Sequence, residues 1–335
     1  MRIIFDLRRV GLGDNGGSLT IVKSANTLVE LGHDVFMVDS GRNQHTWNKL
    51  EAEHIRPRNN NQMPDADIII ATGYKSVAST LSSPGRCGIK AHWIRAWETW
   101  QMSENDIVSK ILAAPTLKLV NSICLQNKLK RFNIDSIIVR PGYDLDEIYP
   151  LPQTEAWRNK DFIVLGGLYT EGKHVQTKRP GWIFSVAEML KKRYGNVRLA
   201  MFGQPRIAKT GNPDAYYSNP TMEEKLKFYN MIDIWLAPAS QEGLHIPPAE
   251  AMMTECPVIA TNAEMSGTQD YMIHGVNGYV ADNRLGSFID YAERLFKDDY
   301  RRKEMGKNAR QTIIKLGNRK ENMRKFANLV METII

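Results

Sequence analysis

Short apolar runs alternate along this chain with stretches of helical spacing, and the alternation predicts a parallel α/β protein. Arg2-Ile3-Ile4-Phe5, Asp67-Ile68-Ile69-Ile70-Ala71, Phe162-Ile163-Val164-Leu165, Val197-Arg198-Leu199-Ala200-Met201-Phe202 and Ile234-Trp235-Leu236-Ala237 each read as a strand. After the first of them, Leu19, Val22, Leu28 and Leu31 recur at helical spacing. Leu119-Val120-Asn121-Ser122 is a further strand, followed by the basic helical stretch Lys128-Leu129-Lys130-Arg131-Phe132. Glu223 to Met231 reads as a short helix, and two helices fill Ser287–Ile335. Residues 41–64 are polar, with Pro57, Asn59-Asn60-Asn61 and Pro64, and read as a surface loop. Pro150 and Pro152 mark a linker. The expected domains are therefore 1–152 and 153–312, with a terminal helix over 313–335.

The stretch from Asp233 to Thr261 carries the most chemistry. Its apolar strand leads into Ser240-Gln241-Glu242-Gly243, then Pro247-Pro248-Ala249-Glu250-Ala251-Met252-Met253, then the strand Pro257-Val258-Ile259-Ala260. Proline is tolerated in a first helical turn, so this is strand, loop, helix, strand. Glu242 falls just past the carboxyl end of a strand, where open α/β sheets bind ligands. Backbone N–H groups near Gly243 and the helix start suit anionic or oxygen-rich groups. Two carboxylates here suit the vicinal hydroxyls of a sugar. On spacing alone, Glu242 is equally a solvated loop residue and Glu250 a side chain offsetting the helix dipole. At the other end of the chain, Gly11-Leu12-Gly13-Asp14-Asn15-Gly16-Gly17 lets backbone amides approach a phosphate, or serves as a plain turn.

Glu242, seven residues and Glu250, with Gly243 and Pro247 between, resemble the EX7E motif of family-4 retaining glycosyltransferases of the GT-B fold. Several other segments carry the same resemblance: Gly16-Gly17, Gly32-His33-Asp34-Val35, Arg140-Pro141-Gly142-Tyr143-Asp144, Gly267-Thr268-Gln269-Asp270-Tyr271 and His274-Gly275-Val276-Asn277-Gly278. The resemblance implies two facing Rossmann-like domains with a deep interdomain cleft, and a last helix crossing back to the first domain. It implies a nucleotide-diphospho-sugar donor, UDP-sugar favoured and GDP-sugar next, bound mainly by the C-terminal domain. Glu250 would hold the ribose, Glu242 the sugar, Lys178 and Arg179 the diphosphate. Gly16, Gly17 and the amides of Gly243, Leu244 and His245 would add donor contacts. Relatives read GRL where this chain has Gly166-Gly167-Leu168, so the diphosphate arginine is missing and Arg179 is its candidate replacement. They also place a catalytic histidine where this chain has Arg95, with His92 three residues earlier; the two cannot share one role, since a shift of three changes strand face. His245 stands where glycine is commoner, either touching the sugar or packing. The implied reaction is metal-independent transfer with retention. The alternatives are a nucleotide-sugar epimerase and an inactive sugar-nucleotide-binding protein.

Composition narrows this picture modestly. Of 335 residues, 42% are hydrophobic and 24% charged, as in ordinary globular chains, and 335 residues suffice for two cored domains. No apolar run is long enough to span a bilayer. Three widely spaced cysteines, Cys87, Cys124 and Cys256, form no metal pattern and suggest reduced thiols in a cytoplasmic setting. Net charge is +7, and residues 297–335 hold 11 Lys/Arg against 5 Asp/Glu. That surplus is either a solvated face or a surface for a polyanion, an acidic membrane or DNA. Trp93, Trp97 and Trp100 either fill the first core or line an acceptor pocket. Acceptors consistent with these features are a lipid-linked glycan, a polysaccharide or a modified nucleic-acid base.

Overall fold

The computed structural model describes residues 1–41, 45–152, 161–205 and 211–334. They form two compact units, Met1–Gly142 with Asn318–Ile335, and Tyr143–Gly317. The sequence reading divides the chain near 152 and at 312/313; residue 153 lies outside the described residues.

The first unit is built on strands β1 (Arg2–Asp6), β2 (Asp34–Val38), β3 (Glu53–Ile55), β4 (Ile68–Ala71), β5 (Ile89–Ile94), β6 (Leu117–Val120) and β7 (Ile137–Ile138). Its sheet order is β3-β2-β1-β4-β5-β6-β7, and every pair is parallel. Helices α1 (Gly16–Glu30), α2 (Val77–Leu81), α3 (Glu104–Asp106) and α4 (Ile123–Lys130) connect the strands. Because parallel strands are covered on both faces, β1 and β4 read as unbroken apolar runs. Ile3, Ile4, Ile68 and Ile69 are fully buried.

In the second unit, β8 (Ile163–Tyr169), β9 (Val197–Gly203), β10 (Ala215–Ser218), β11 (Ile234–Ala237), β12 (Val258–Thr261) and β13 (Gly278–Ala281) form a parallel sheet ordered β10-β9-β8-β11-β12-β13. Helices α5 (Val175–Lys178), α6 (Pro180–Tyr194), α7 (Met222–Met231), α8 (Ile246–Met253), α9 (Leu285–Lys297) and α10 (Asp299–Leu316) accompany it. In each sheet the strand order reverses once, between β1 and β4 and between β8 and β11. That reversal opens the crevice where doubly wound sheets take ligands. Mid-strand Gly166 and Gly167 admit the side chains of Ile232 and Ile183; a Cβ at Gly167 would lie 2.5 Å from Ile183 Cδ1.

The last helix, α11 (Arg319–Ile334), belongs to the first unit. Its Met323, Phe326, Ala327 and Val330 share a core with Ile21, Ala25 and Leu28 of α1. Residues 287–335 thus hold three helices rather than two. Asp298 caps α10 by accepting the Arg301 N–H at 2.8 Å, and Gly317 ends α10 at φ 89°, a backbone that favours glycine. Residues 41–64 also depart from a plain loop: they contain β3 and a 3₁₀ turn over Asn60–Gln62. β3 is an edge strand with one neighbour, and Glu53-His54-Ile55 carries no apolar run to announce it. Residues 42–44 of that stretch lie outside the described residues.

Candidate active site

β11 delivers its chain to the reversal of the second sheet, and the loop after it is fastened on both sides. The Ser240 N–H donates to Thr177 C=O at 2.8 Å, tying the loop to α5, while the Glu242 N–H donates to Met265 C=O at 2.6 Å. Gly267, at φ +72°, lets the chain pass so close that a Cβ there would lie 2.9 Å from the Gly243 carbonyl oxygen. These ties bring Lys178 and Glu242 together, Nζ to Oε1 at 3.2 Å, with side chains 27% and 20% exposed.

Around the pair lies a narrow pocket lined by Leu168, Lys178, Ile183, Trp235, Glu242 and His245 among others. Burial works to raise the Glu242 pKa, but the charge of Lys178, then His245, the Lys178 hydrogen bond and His174 outweigh it and hold the carboxyl below its ordinary value. The pocket therefore presents a carboxylate and an ammonium side by side, able to meet sugar hydroxyls and phosphate oxygens respectively.

His245 precedes α8 in the left-handed region, φ 55° and ψ 65°, and is 7% exposed. Burial pushes its imidazole down to about 4, against Glu242, which favours the cation; the ring is neutral near pH 7. Leu244 is buried beside it. Within α8, Pro247 and Pro248 lack N–H groups, so the first turn offers fewer anion donors than a helix start normally does. Glu250, farther along α8, accepts the Tyr229 hydroxyl at 2.6 Å. Tyr229 is fully buried, and its hydroxyl is raised well above the ordinary value by burial and then by Glu250. Nothing in the sequence pattern singles out Tyr229 or His174. Their parts in the site come from packing between elements distant in sequence.

Arg179 follows Lys178 but turns away from that pairing. Its backbone is left-handed at φ 52°, its guanidinium lies 4.7 Å from the Trp182 ring centroid, and it donates to Asn283 Oδ1. The space a side chain at Gly167 would enter is occupied by Ile183, so this unit carries no arginine at the GRL position.

The remaining candidates lie in the first unit. Gly16 and Gly17 open α1, whose cap is Asn15 Oδ1 accepting the Ser18 N–H at 3.0 Å. Arg95, just past β5, spans the reversal of the first sheet: Nη1 donates to Gly17 C=O at 2.5 Å and Nη2 to Thr72 C=O at 2.7 Å. Burial lowers its pKa to about 10, against Glu98. His92 is fully buried inside β5, its ring 5.6 Å from that of Tyr74, and neither ring nitrogen has a partner. Burial, then Lys118 and Arg95, pushes it down to about 3, so it is neutral near pH 7. Trp93 and Trp97 are buried and Trp100 is exposed. Trp93 Nε1 donates to Val139 C=O at 3.1 Å, and Trp97 stacks on Phe132 beneath the Lys128 ammonium. Among the described residues no group of three or more His, Cys, Asp or Glu could hold a metal ion, and no helix is long and apolar enough to cross a membrane.

The two sheets and the site at the second reversal define a GT-B fold of α/β class, and comparison with solved structures agrees. Sucrose-phosphate synthase from Thermosynechococcus elongatus superposes with a TM-score of 0.78 at 15% identity, covering 99% of this chain and 98% of that one. HepE from Anabaena, solved with UDP and glucose, gives 0.76 at 12% identity, covering 99% and 100%. Residues 170–312 match the family model for glycosyl transferases group 1. The capsular polysaccharide biosynthesis glycosyltransferase CapM of Staphylococcus aureus is 27% identical over 128 residues, 35% of this chain and 33% of that protein. The matched segment thus spans a third of that relative's length.

Proposed function

We propose that this chain is a retaining glycosyltransferase that moves a sugar from a nucleotide-diphospho-sugar to an acceptor hydroxyl. The observation that carries the reading is the Lys178–Glu242 pair at the sheet reversal, inside the segment that matches group 1 glycosyltransferases. In this reading Lys178 turns to the diphosphate and offsets the charge that develops as it leaves. Glu242, held ionised, accepts from sugar hydroxyls. Glu250 spends one oxygen on Tyr229 and keeps the other for the ribose. The UDP and glucose of HepE favour a UDP-sugar, with a GDP-sugar next. The polysaccharide context of CapM favours a glycan acceptor over a modified nucleic-acid base. Arg95 holds the first turn of α1 to the residue just past β4, which makes it a positioning residue rather than a group that acts on substrate. A cation at Lys178, placed to offset the charge on a leaving diphosphate, favours turnover without added metal.

At least five of the eleven basic residues in the C-terminal segment have ionic partners. Arg302 and Lys303 meet Asp299, Lys307 meets Glu304, Lys297 meets Glu293 and Lys320 pairs with Glu30. This favours a solvated face over attachment to an anionic membrane or DNA. Sedimentation with anionic liposomes, beside a gel shift with duplex DNA, decides it: no binding to either is expected at physiological ionic strength.

The donor test is thermal shift with UDP-, GDP-, ADP- and dTDP-glucose, since a bound ligand raises apparent stability. UDP-glucose is expected to give the largest shift, and no shift with any of them rejects the reading. Turnover should survive excess EDTA and yield a product with the donor's anomeric configuration by NMR. Glu242→Ala and Lys178→Ala should each lower turnover by about tenfold to a hundredfold, roughly 1.4–2.7 kcal/mol of barrier. Glu250→Ala should chiefly raise KM for the donor. Near-normal rates in both of the first two variants would remove the enzyme assignment.

A further inference from the structure

His245 occupies a backbone conformation that suits glycine. Its φ of 55° and ψ of 65° lie in the left-handed region, uncommon for any residue but glycine, although asparagine, aspartate and histidine enter it more often than the rest. The conformation is held from behind: Tyr271 Oη donates to the His245 carbonyl at 2.7 Å, and Tyr271 is itself buried. A glycine would relieve the strain, and an imidazole stands there instead. Non-glycine residues in this conformation cluster at active sites and ligand clamps, which makes His245 a candidate for function.

The imidazole lines the same pocket as Lys178 and Glu242. Two polar atoms on the lining residues are buried with no hydrogen-bond partner, His245 Nδ1 and Trp235 Nε1. Burial keeps the histidine neutral, so one ring nitrogen donates and the other accepts. A ring N–H facing the Ser266 backbone leaves Nδ1 as the acceptor. An unmet acceptor on a residue that lines the pocket suits a hydroxyl, which can donate to it. Buried polar groups without partners in a native fold call for an explanation, and a ligand hydroxyl supplies one.

We propose that His245 is a specificity-determining residue for the donor, its Nδ1 accepting a hydrogen bond from one hydroxyl of a hexose held beside Glu242. The inference rests on the donor reading above. It commits the ligand to a sugar with a free hydroxyl at that point, and a deoxy sugar there forfeits the bond and leaves Nδ1 buried and unmet.

The test measures Kd by calorimetry for UDP, UDP-glucose and the 2-, 3-, 4- and 6-deoxy analogues of UDP-glucose, with the full chain and its His245→Gly and His245→Asn variants. Wild type should bind UDP-glucose more tightly than UDP, and one deoxy analogue should lose about fivefold. In His245→Gly that one penalty should vanish, UDP affinity should hold within about twofold, and the melting temperature should rise by about 1–3 °C as strain is released. His245→Asn, which tolerates the left-handed backbone and places an amide oxygen near the lost Nδ1, should restore the penalty. If His245→Gly keeps every penalty of the wild type, or melts lower while losing UDP affinity, His245 is a packing residue and the inference falls alone. If wild type binds neither UDP nor UDP-glucose, the donor reading falls and takes the inference with it.

Discussion

At the residue scale, burial decides which titratable groups can do chemistry near neutral pH. Glu242 and His92 both sit in tight surroundings, yet only Glu242 has a cation placed to keep it charged. His92 is flanked by cations too, but beside an imidazole they oppose the charged form: Lys118 lies directly across from it on β6 and Arg95 follows on its own chain. A histidine so placed has a folded pKa of about 3 against an ordinary 6.5. Below pH 6.5 the unfolded chain therefore takes up a proton that the folded chain refuses. The His92 contribution to stability is full above pH 6.5 and is lost as pH falls from there toward 3. At pH 5 the loss is about 2 kcal/mol. His92→Phe, which keeps an aromatic ring against Tyr74, should flatten the fall in melting temperature between pH 7 and 5. An unchanged pH profile would show that His92 is already protonated or solvated in the folded chain.

At the element scale, the site depends on loops held to one another rather than on any one helix. The turn at Gly267 is the tightest of these holds, with the Gly243 and Glu242 carbonyls 2.9 and 3.1 Å from where a Cβ would sit. Those atoms are backbone and cannot swing aside as a side-chain tip would. Gly267→Ala also meets a φ of +72° that alanine resists. The expected cost is about 2 kcal/mol of stability, with a weaker UDP-glucose shift because the Glu242 loop must move. Denaturant melts with and without ligand check both. Wild-type midpoints would mean that the loop relaxes freely. Gly166 and Gly167 act differently, for they let Ile232 and Ile183 pack into β8. Gly167, where the family resemblance would lead one to expect an arginine, has here become part of that packing.

At the scale of the whole molecule, the chain leaves the first unit after Gly142 and returns to it at Asn318. α11 completes the first core, with Phe326 at 4% exposure and Met323 at 1%. Phe326→Ala should therefore cost about 3–5 kcal/mol. Hydrogen exchange, followed by mass spectrometry, should show the loss of protection in β1, β4, β5 and α1. Protection in β8, β11 and α8 should hold, although they precede the mutation more closely in sequence. Equal loss in both units would show that they unfold as one.

Much of the fold is legible in one dimension because its causes are local. Parallel strands buried on both faces must be apolar runs, and Asp298, Gly317 and the paired prolines of α8 mark boundaries by their own backbone chemistry. The edge strands β3 and β10 escape that reading, because pairing on one side alone demands no apolar run. The candidate site was legible as residue types at a spacing: Glu242 and Glu250 through their common loop and helix, Lys178 and His245 through resemblance. Tertiary structure alone decided what each of them meets. The partnership of Lys178 with Glu242 depends on the Thr177–Ser240 tie, and that of Glu250 with Tyr229 on α7 lying against α8. Arg179 shares Lys178's sequence context and still turns to Trp182, and His92 and Arg95, three residues apart, lie one in the core and one across the sheet reversal. Sequence sets which groups are available and roughly where the backbone turns. Burial, charge and distance are properties of the packed chain, and they determine which of those groups is charged, strained or left with an unmet hydrogen bond.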